Sequence, residues 1–197
     1  MIVEITDETE MQYFVQKHLA HRLTSLLSPI CRPETDYDAW GKRNDTYRAA
    51  KEGSYVMLRL FIEFLGVKGD RKNPGRLTAA GGDDDDLRLS AFRKWGVASL
   101  RPADFGADEG FIADTHRILC KINAHFTYDD RKLDHYDRIA SLPDADWRKA
   151  AELVLQKLHV EFYQKVKQPI VVHEDLVDSF LKAFPVFKVL GGTLEKT

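Results

Sequence analysis

Apolar residues at helical spacing are the feature that most constrains how this chain can fold. Over about residues 7–27, apolar side chains recur every three or four positions, which places them on one face of an amphipathic helix. That stripe consists of Met11, Val15, Leu19, Leu23 and Leu26. Thr6 or Asp7 can cap the first amides of this helix. Pro29 and Pro33 are predicted to end it, because proline interrupts helical hydrogen bonding.

The same periodicity predicts further helices along the chain. The longest covers about 37–65, and its apolar arc widens after Tyr55, as is typical of a central helix in a bundle. Others are predicted at about 86–95, 108–127, 144–167 and 174–184. Residues 2–5, 170–172 and 187–190 are β-prone and form either a minor strand pair or extended termini. The predicted fold is all-α (mostly α), a bundle of five to seven helices.

A segment rich in glycine and aspartate interrupts the helices at about 66–86. It contains Gly66, Gly69, Pro74, Gly75 and the acidic run 83–86, and it predicts a flexible loop within a single helical domain of residues 1–197. Four consecutive aspartates lack the alternating carboxylates of a calcium loop. We therefore expect no metal at this loop.

Charge and cysteine content narrow the class of protein. The chain has 29 basic and 31 acidic side chains, so no global field attracts nucleic acid or an anionic membrane. Cys31 and Cys120 have no partners at short spacing, which favours free thiols in a reducing cytosol over a disulfide. The N-terminus lacks a signal-peptide pattern, and the most apolar run, 55–65, is too short to span a bilayer. A cytoplasmic protein without membrane contact is expected.

Candidate catalytic residues lie on the helix predicted at 108–127. Its apolar arc is formed by Phe111, Ile112, Thr115, Ile118, Leu119, Ile122 and Phe126. At about 100° per residue, His125 falls at the edge of that arc, and Arg117 and Lys121 precede it at intervals of four. A histidine with one wet and one dry side suits proton transfer near neutral pH. The alternative is a packed histidine beside solvated basic side chains.

The stretch from Lys121 to Tyr128, taken with the helix before it, resembles a pattern in HEPN-like helical bundles. In active members of that superfamily, an arginine and a following histidine form a metal-independent ribonuclease site, usually across a homodimer. The resemblance covers about residues 108–128 and implies that His125 is the acid–base group and Arg117 holds the scissile phosphate. The spacing departs from the family pattern, since seven residues separate Arg117 from His125. Lys121 is nearer, but it lacks the planar fork with which arginine holds phosphate.

A second candidate site lies on the first helix. Arg22 falls within the apolar stripe, with His18 one turn before it. An arginine on an apolar face needs either a carboxylate from another helix or a bound anion, because an unpaired buried charge is costly. Arg22 and His18 are therefore candidate anion-binding residues. His18 and His21 share a face at i,i+3, but no third metal ligand is evident.

Motifs of the common enzyme and metal classes are absent from the sequence. It has no Gly-rich phosphate loop, no cysteine pair at zinc spacing, no His-Glu-x-x-His and no Gly-x-Ser-x-Gly. We expect a non-catalytic binding or interaction protein, a homodimer with RNA or protein as a further partner, and neither cofactor nor metal. The alternative is a HEPN-like metal-independent ribonuclease or RNA-targeting factor.

Overall fold

A computed structural model describes residues 4–32, 45–81, 87–124, 142–187 and 189–192. Three predicted features lie outside these residues: the start of the helix expected from residue 37, the acidic run 83–86, and the segment from His125 to Tyr128. The described part of the chain is mostly α-helical, as its periodicity predicts. None of the described helices combines the length and apolarity needed to cross a membrane.

Helices account for most of the described residues. The α-helical segments are α1 (Glu8–Tyr13), α2 (Ala20–Cys31), α3 (Asp45–Phe64), α4 (Glu109–Ala124), α5 (Asp144–Leu158), α6 (Gln164–Val166) and α7 (Val177–Ala183). A π-helical segment, Phe14–Leu19, joins α1 to α2, and a second, His159–Tyr163, joins α5 to α6. Short 3₁₀ helices cover Leu89–Trp95, Pro102–Asp108 and Glu174–Leu176.

The ends of the first helix confirm one sequence prediction and correct another. Asp7 caps it, since its carboxylate accepts a hydrogen bond from the Glu10 amide at 3.0 Å. Pro29 does not end the helix as predicted, because it lies inside α2, which continues to Cys31. A proline at this position removes the hydrogen bond that its own N–H would donate, and its ring crowds the carbonyl one turn earlier. Pro29 is buried, and that packing offsets the loss.

The segment predicted as a loop at 66–86 contains a β-hairpin. Strands β1 (Val67–Gly69) and β2 (Leu77–Ala79) pair antiparallel, with Lys68 opposite Thr78. Val67 and Leu77 are buried in the core. Strands of three residues are too short for alternation to register as a period, which is why the sequence pattern did not reveal them.

A second pair of strands lies near the C-terminus, so of the two alternatives left open for the β-prone segments, the structure shows the strand pair. Strands β3 (Ile170–His173) and β4 (Val189–Gly192) run parallel, with Val171 opposite Leu190. The backbone N–H of His173 donates to the Thr24 hydroxyl at 2.9 Å. That bond fixes the end of β3 against α2.

A buried hydroxyl joins the three central helices. Ser54 on α3 donates to the Leu26 carbonyl of α2 at 2.6 Å, and it accepts from the Trp147 indole of α5 at 3.1 Å. The Ser54 and Trp147 side chains are fully buried. Because one hydroxyl serves both neighbours, it fixes how far α2 and α5 can slide along α3.

Removing that hydroxyl should destabilise the fold. Ser54→Ala leaves the Trp147 N–H buried without an acceptor, so we expect the free energy of unfolding to fall by about 1–3 kcal/mol. Urea denaturation followed by circular dichroism measures the change. Ser25→Ala is the matched control, since the Ser25 hydroxyl donates to the His21 carbonyl in an exposed part of α2. Equal losses in the two variants would contradict a special role for Ser54.

Candidate functional site

The basic ladder predicted on α4 lies on its outer flank. Arg117 is 42% exposed, and its Nη2 lies 3.9 Å from the Asp114 carboxylate. Lys121 is fully on the surface. His125 lies outside the described residues, so the three predicted catalytic side chains are not seen together. Neither Arg117 nor Lys121 lines the cleft between the first helix and α3.

A cleft of about 610 Å³ lies between the first helix and α3, in a different part of the fold. Side chains from α1, the π segment, α2 and α3 line it, together with one residue from each of two connecting segments. They are Ile5, Glu10, Tyr13, Phe14, His18, Leu19, Arg22, Met57, Leu60, Phe61, Phe64 and Leu87. The two candidate anion-binding residues predicted from the sequence, His18 and Arg22, therefore share one cavity.

Arg22 is not buried, although its position in the apolar stripe of the first helix predicted burial. It is exposed at the rim and not buried within the apolar stripe, so no desolvation penalty forces it to find a partner. Its Nη1 donates to the His18 backbone carbonyl at 3.2 Å, which ties the guanidinium to the preceding turn of its own helix. Among the described residues, no carboxylate lies within ion-pair distance of Arg22. The sequence offered two partners for Arg22, a carboxylate from another helix or a bound anion. Among the described residues the carboxylate is not found, so the bound anion remains.

The π segment Phe14–Leu19 shapes the wall of the cleft. Its i→i+5 hydrogen bonding widens the helix locally, and residues four apart still lie on one side of it, so Phe14 and His18 are neighbours one turn apart. The rings of Phe14 and His18 are accordingly stacked, with centroids 6.3 Å apart. Tyr13 meets the same imidazole edge to face at 5.4 Å. The imidazole of His18 is thus set between two aromatic rings.

The floor of the cleft is continuous with the core. The Phe14 ring lies 6.0 Å from Phe64 and 5.1 Å from Phe92, and Phe92 in turn lies 4.8 Å from Phe162. Such a cluster is held by close packing from below. Above it, Tyr13 and Leu60 remain 55% and 42% exposed. An apolar molecule could cover these side chains without any rearrangement of the floor.

A second polar constellation lies where α4 meets α3. His116 is buried, and its Nε2 lies 3.0 Å from Oε1 of Glu63. The Cys120 sulfur lies 3.6 Å from Nδ1 and 3.8 Å from Nε2 of the same ring. Arg59 completes the group by donating to Oε1 of Glu63 at 2.9 Å. Arg59 and Glu63, four residues apart on α3, thus form a half-buried ion pair that is shared with a histidine.

Hydrogen bonds set the protonation of this group. The Gly69 N–H donates to Nδ1 of His116 at 3.2 Å, which places the proton of the neutral ring on Nε2, facing Glu63. Hydrogen bonds from His116 and Arg59 outweigh partial burial and lower the pKa of Glu63 from 4.5 to about 2. Burial lowers the pKa of His116, but contacts with Cys120 and Glu63 outweigh it and raise that pKa overall. The Gly69 amide opposes this rise, since it needs an unprotonated Nδ1.

Comparison with known proteins does not indicate a function for either of these two sites. No protein family, curated protein or solved structure matches the chain. What the protein does must therefore follow from the chemistry of its own residues.

Sequence reasoning missed the group around His116 although part of its signal was present. His116 and Cys120 are four residues apart on one predicted helix, which places them on the same face. Glu63 is distant in sequence, and only the packing of α3 against α4 brings it to the ring. Gly69 was hidden in the predicted loop. Its backbone lies so close to α4 that a Cβ there would be 2.7 Å from the Ala113 carbonyl oxygen.

Glu63 should stabilise the fold in a pH-dependent way. Its pKa is lower in the folded chain, so its contribution is present above about 4.5 and disappears as pH falls toward 2. At pH 7, in buffer free of divalent ions, we expect Glu63→Gln to cost about 1–2 kcal/mol of unfolding free energy. The difference from wild type should shrink in urea titrations at pH 5, 4 and 3. Glu152→Gln, an exposed site on α5, is the control, and a Glu63→Gln loss independent of pH would refute the assignment.

Proposed function

We propose that this protein binds a small amphipathic anion, without chemical conversion, in the cleft between the first helix and α3. The observation that carries this proposal is the combination in one cavity of an aromatic and aliphatic floor with a single basic rim. We retain the cytoplasmic homodimer expected from the sequence as part of this proposal, and we place its binding site in this cleft.

The size and lining of the cleft support a small molecule as the ligand. Ligand pockets typically occupy about 300–1,000 Å³ and combine apolar walls with a few placed polar groups. The cleft falls within that range at about 610 Å³. Its apolar floor includes Met57, Phe61 and Phe64, and the exposed faces of Tyr13 and Leu60 would lose water on binding. Burial of this surface supplies the main favourable term, at about 25 cal/mol per Å².

The charges at the rim support an anionic head group and fix its orientation. Arg22 has five N–H donors, and only one is seen bonded, to the His18 carbonyl. A carboxylate or sulfonate could accept two of the others side by side. Glu10 also lines the cleft, but it precedes Arg22 by about three turns of the first helix. The anion therefore belongs at the Arg22 end, with its apolar body lying over Phe64.

A matched pair of fluorescent probes tests the charge requirement. 1-Anilinonaphthalene-8-sulfonate carries a sulfonate, whereas N-phenyl-1-naphthylamine has the same rings and no charge. We expect both to bind one site, and Arg22→Gln to weaken only the sulfonate. An exposed charge contact predicts a loss of about three- to tenfold in Kd. Fluorescence titration measures both constants.

Two further variants make the probe test specific. Arg117→Gln removes a partly exposed arginine on α4, outside the cleft lining, and should leave both probes unchanged. Leu60→Asp puts a carboxylate on the lining and should weaken both probes. Equal effects of Arg22→Gln on the two probes, or binding unaffected by Leu60→Asp, would rule out this cleft as the site.

The ribonuclease alternative has a separate test. RNA cleavage is measured without added metal for wild type, His125→Ala and the control His21→Ala. We expect the same background in all three, because Arg117 already contacts Asp114 and Lys121 lies on the open surface. Cleavage lost only in His125→Ala, with helical circular dichroism unchanged, would establish the HEPN-like activity and overturn the non-catalytic proposal.

A further inference from the structure

We propose that Glu63, His116 and Cys120 form a binding site for a divalent transition-metal ion of the zinc type. These three side chains offer one oxygen, one nitrogen and one sulfur atom that all lie within 4.8 Å of one another. Carboxylate, imidazole and thiolate are the three side-chain ligands that Zn²⁺ takes in proteins. The sequence prediction expected no metal because it sought ligands at short spacing, whereas Glu63 comes from another helix.

The three ligands are held by two helices that pack against each other, α3 and α4. His116 and Cys120 lie one turn apart on α4, and Glu63 faces them from the last turn of α3. The His116 ring is only 5% exposed, while Glu63 is 31% exposed. The ion would therefore be reached from the Glu63 side. Three protein ligands leave a fourth tetrahedral position for water, as in open zinc sites.

Glu63 can bind an ion without giving up its hydrogen bond from Arg59. Both Arg59 and His116 contact its Oε1, and no described residue donates to Oε2. Oε2 is thus free to coordinate while Oε1 keeps the Arg59 hydrogen bond. That outer hydrogen bond would orient the carboxylate, which is the usual role of groups behind a metal ligand.

Coordination requires a proton shift at His116. In the structure the neutral ring carries its proton on Nε2, because Nδ1 accepts from Gly69. An ion at Nε2 moves that proton to Nδ1, and the Cys120 thiol loses its own proton to solvent. The Gly69 amide then has no acceptor and must turn away. A single N–H···N bond of 3.2 Å is weak beside the metal–thiolate and metal–imidazole bonds that replace it.

Cobalt titration tests the site, because Co²⁺ bound to thiolate gives a near-ultraviolet charge-transfer band as well as visible bands. We expect one Co²⁺ per wild-type chain, displaced by Zn²⁺. Cys120→Ser should abolish the near-ultraviolet band and weaken binding at least about tenfold, and Glu63→Gln should weaken it about tenfold with the band retained. Cys31→Ser is the control, since burial raises the pKa of that distant thiol to about 12.

Two results would overturn the proposal. One is the absence of stoichiometric Co²⁺ binding to folded wild-type chain, which would leave Glu63, His116 and Cys120 as a metal-free polar network. The other is a band that survives in Cys120→Ser or disappears in Cys31→Ser. A metal-dependent change in the Gly69 amide resonance provides an independent check in the wild-type chain. In Cys120→Ser, a nearly isosteric change, it should require at least about tenfold more metal.

Discussion

The packing of α3 against its neighbours is the constraint on which the rest of the structure depends. The Ser54 hydroxyl fixes α2 and α5 on that helix through two buried hydrogen bonds. With their positions set, one face of α3 presents Met57, Leu60 and Phe61 to the first helix. Its last turn presents Glu63 to α4. Both candidate sites are therefore consequences of where a single helix lies.

Much of the fold could be predicted from sequence, because a helix with one buried face has apolar residues every three or four positions. The helices at 108–127 and 144–167 were predicted from such patterns, and the structure confirms them where it describes them. For the β-prone segments 170–172 and 187–190 the sequence left a strand pair or extended termini open, and the structure shows the strand pair. The hairpin at 67–79 shows no alternating apolar pattern in the sequence, since its strands have three residues each and many glycines and charged residues surround them. Pro29 misled the prediction because burial, which is a tertiary property, decides whether a terminal proline is tolerated.

The candidate sites were less predictable than the fold, for a physical reason. A cleft is a gap between elements, so no local pattern specifies it. Arg22 and His18 could be identified because they are near neighbours on one helix, although the expected burial of Arg22 was wrong. The group around His116 depends on a contact between α3 and α4 over 53 residues of sequence. No single-sequence pattern reports such a contact.

The π segment explains an irregularity in the stripe of the first helix. Met11, Val15, Leu19 and Leu23 are spaced by four, and on a straight α-helix each such step drifts by about 40°. After three steps the last residue would point about 120° away from the first. All four are nonetheless buried, at no more than 1% exposed, because the wider turns absorb the drift. The four-residue spacing of the apolar side chains thus matches the wider turn of the π segment. The same segment places Phe14 and His18 in the lining of the cleft.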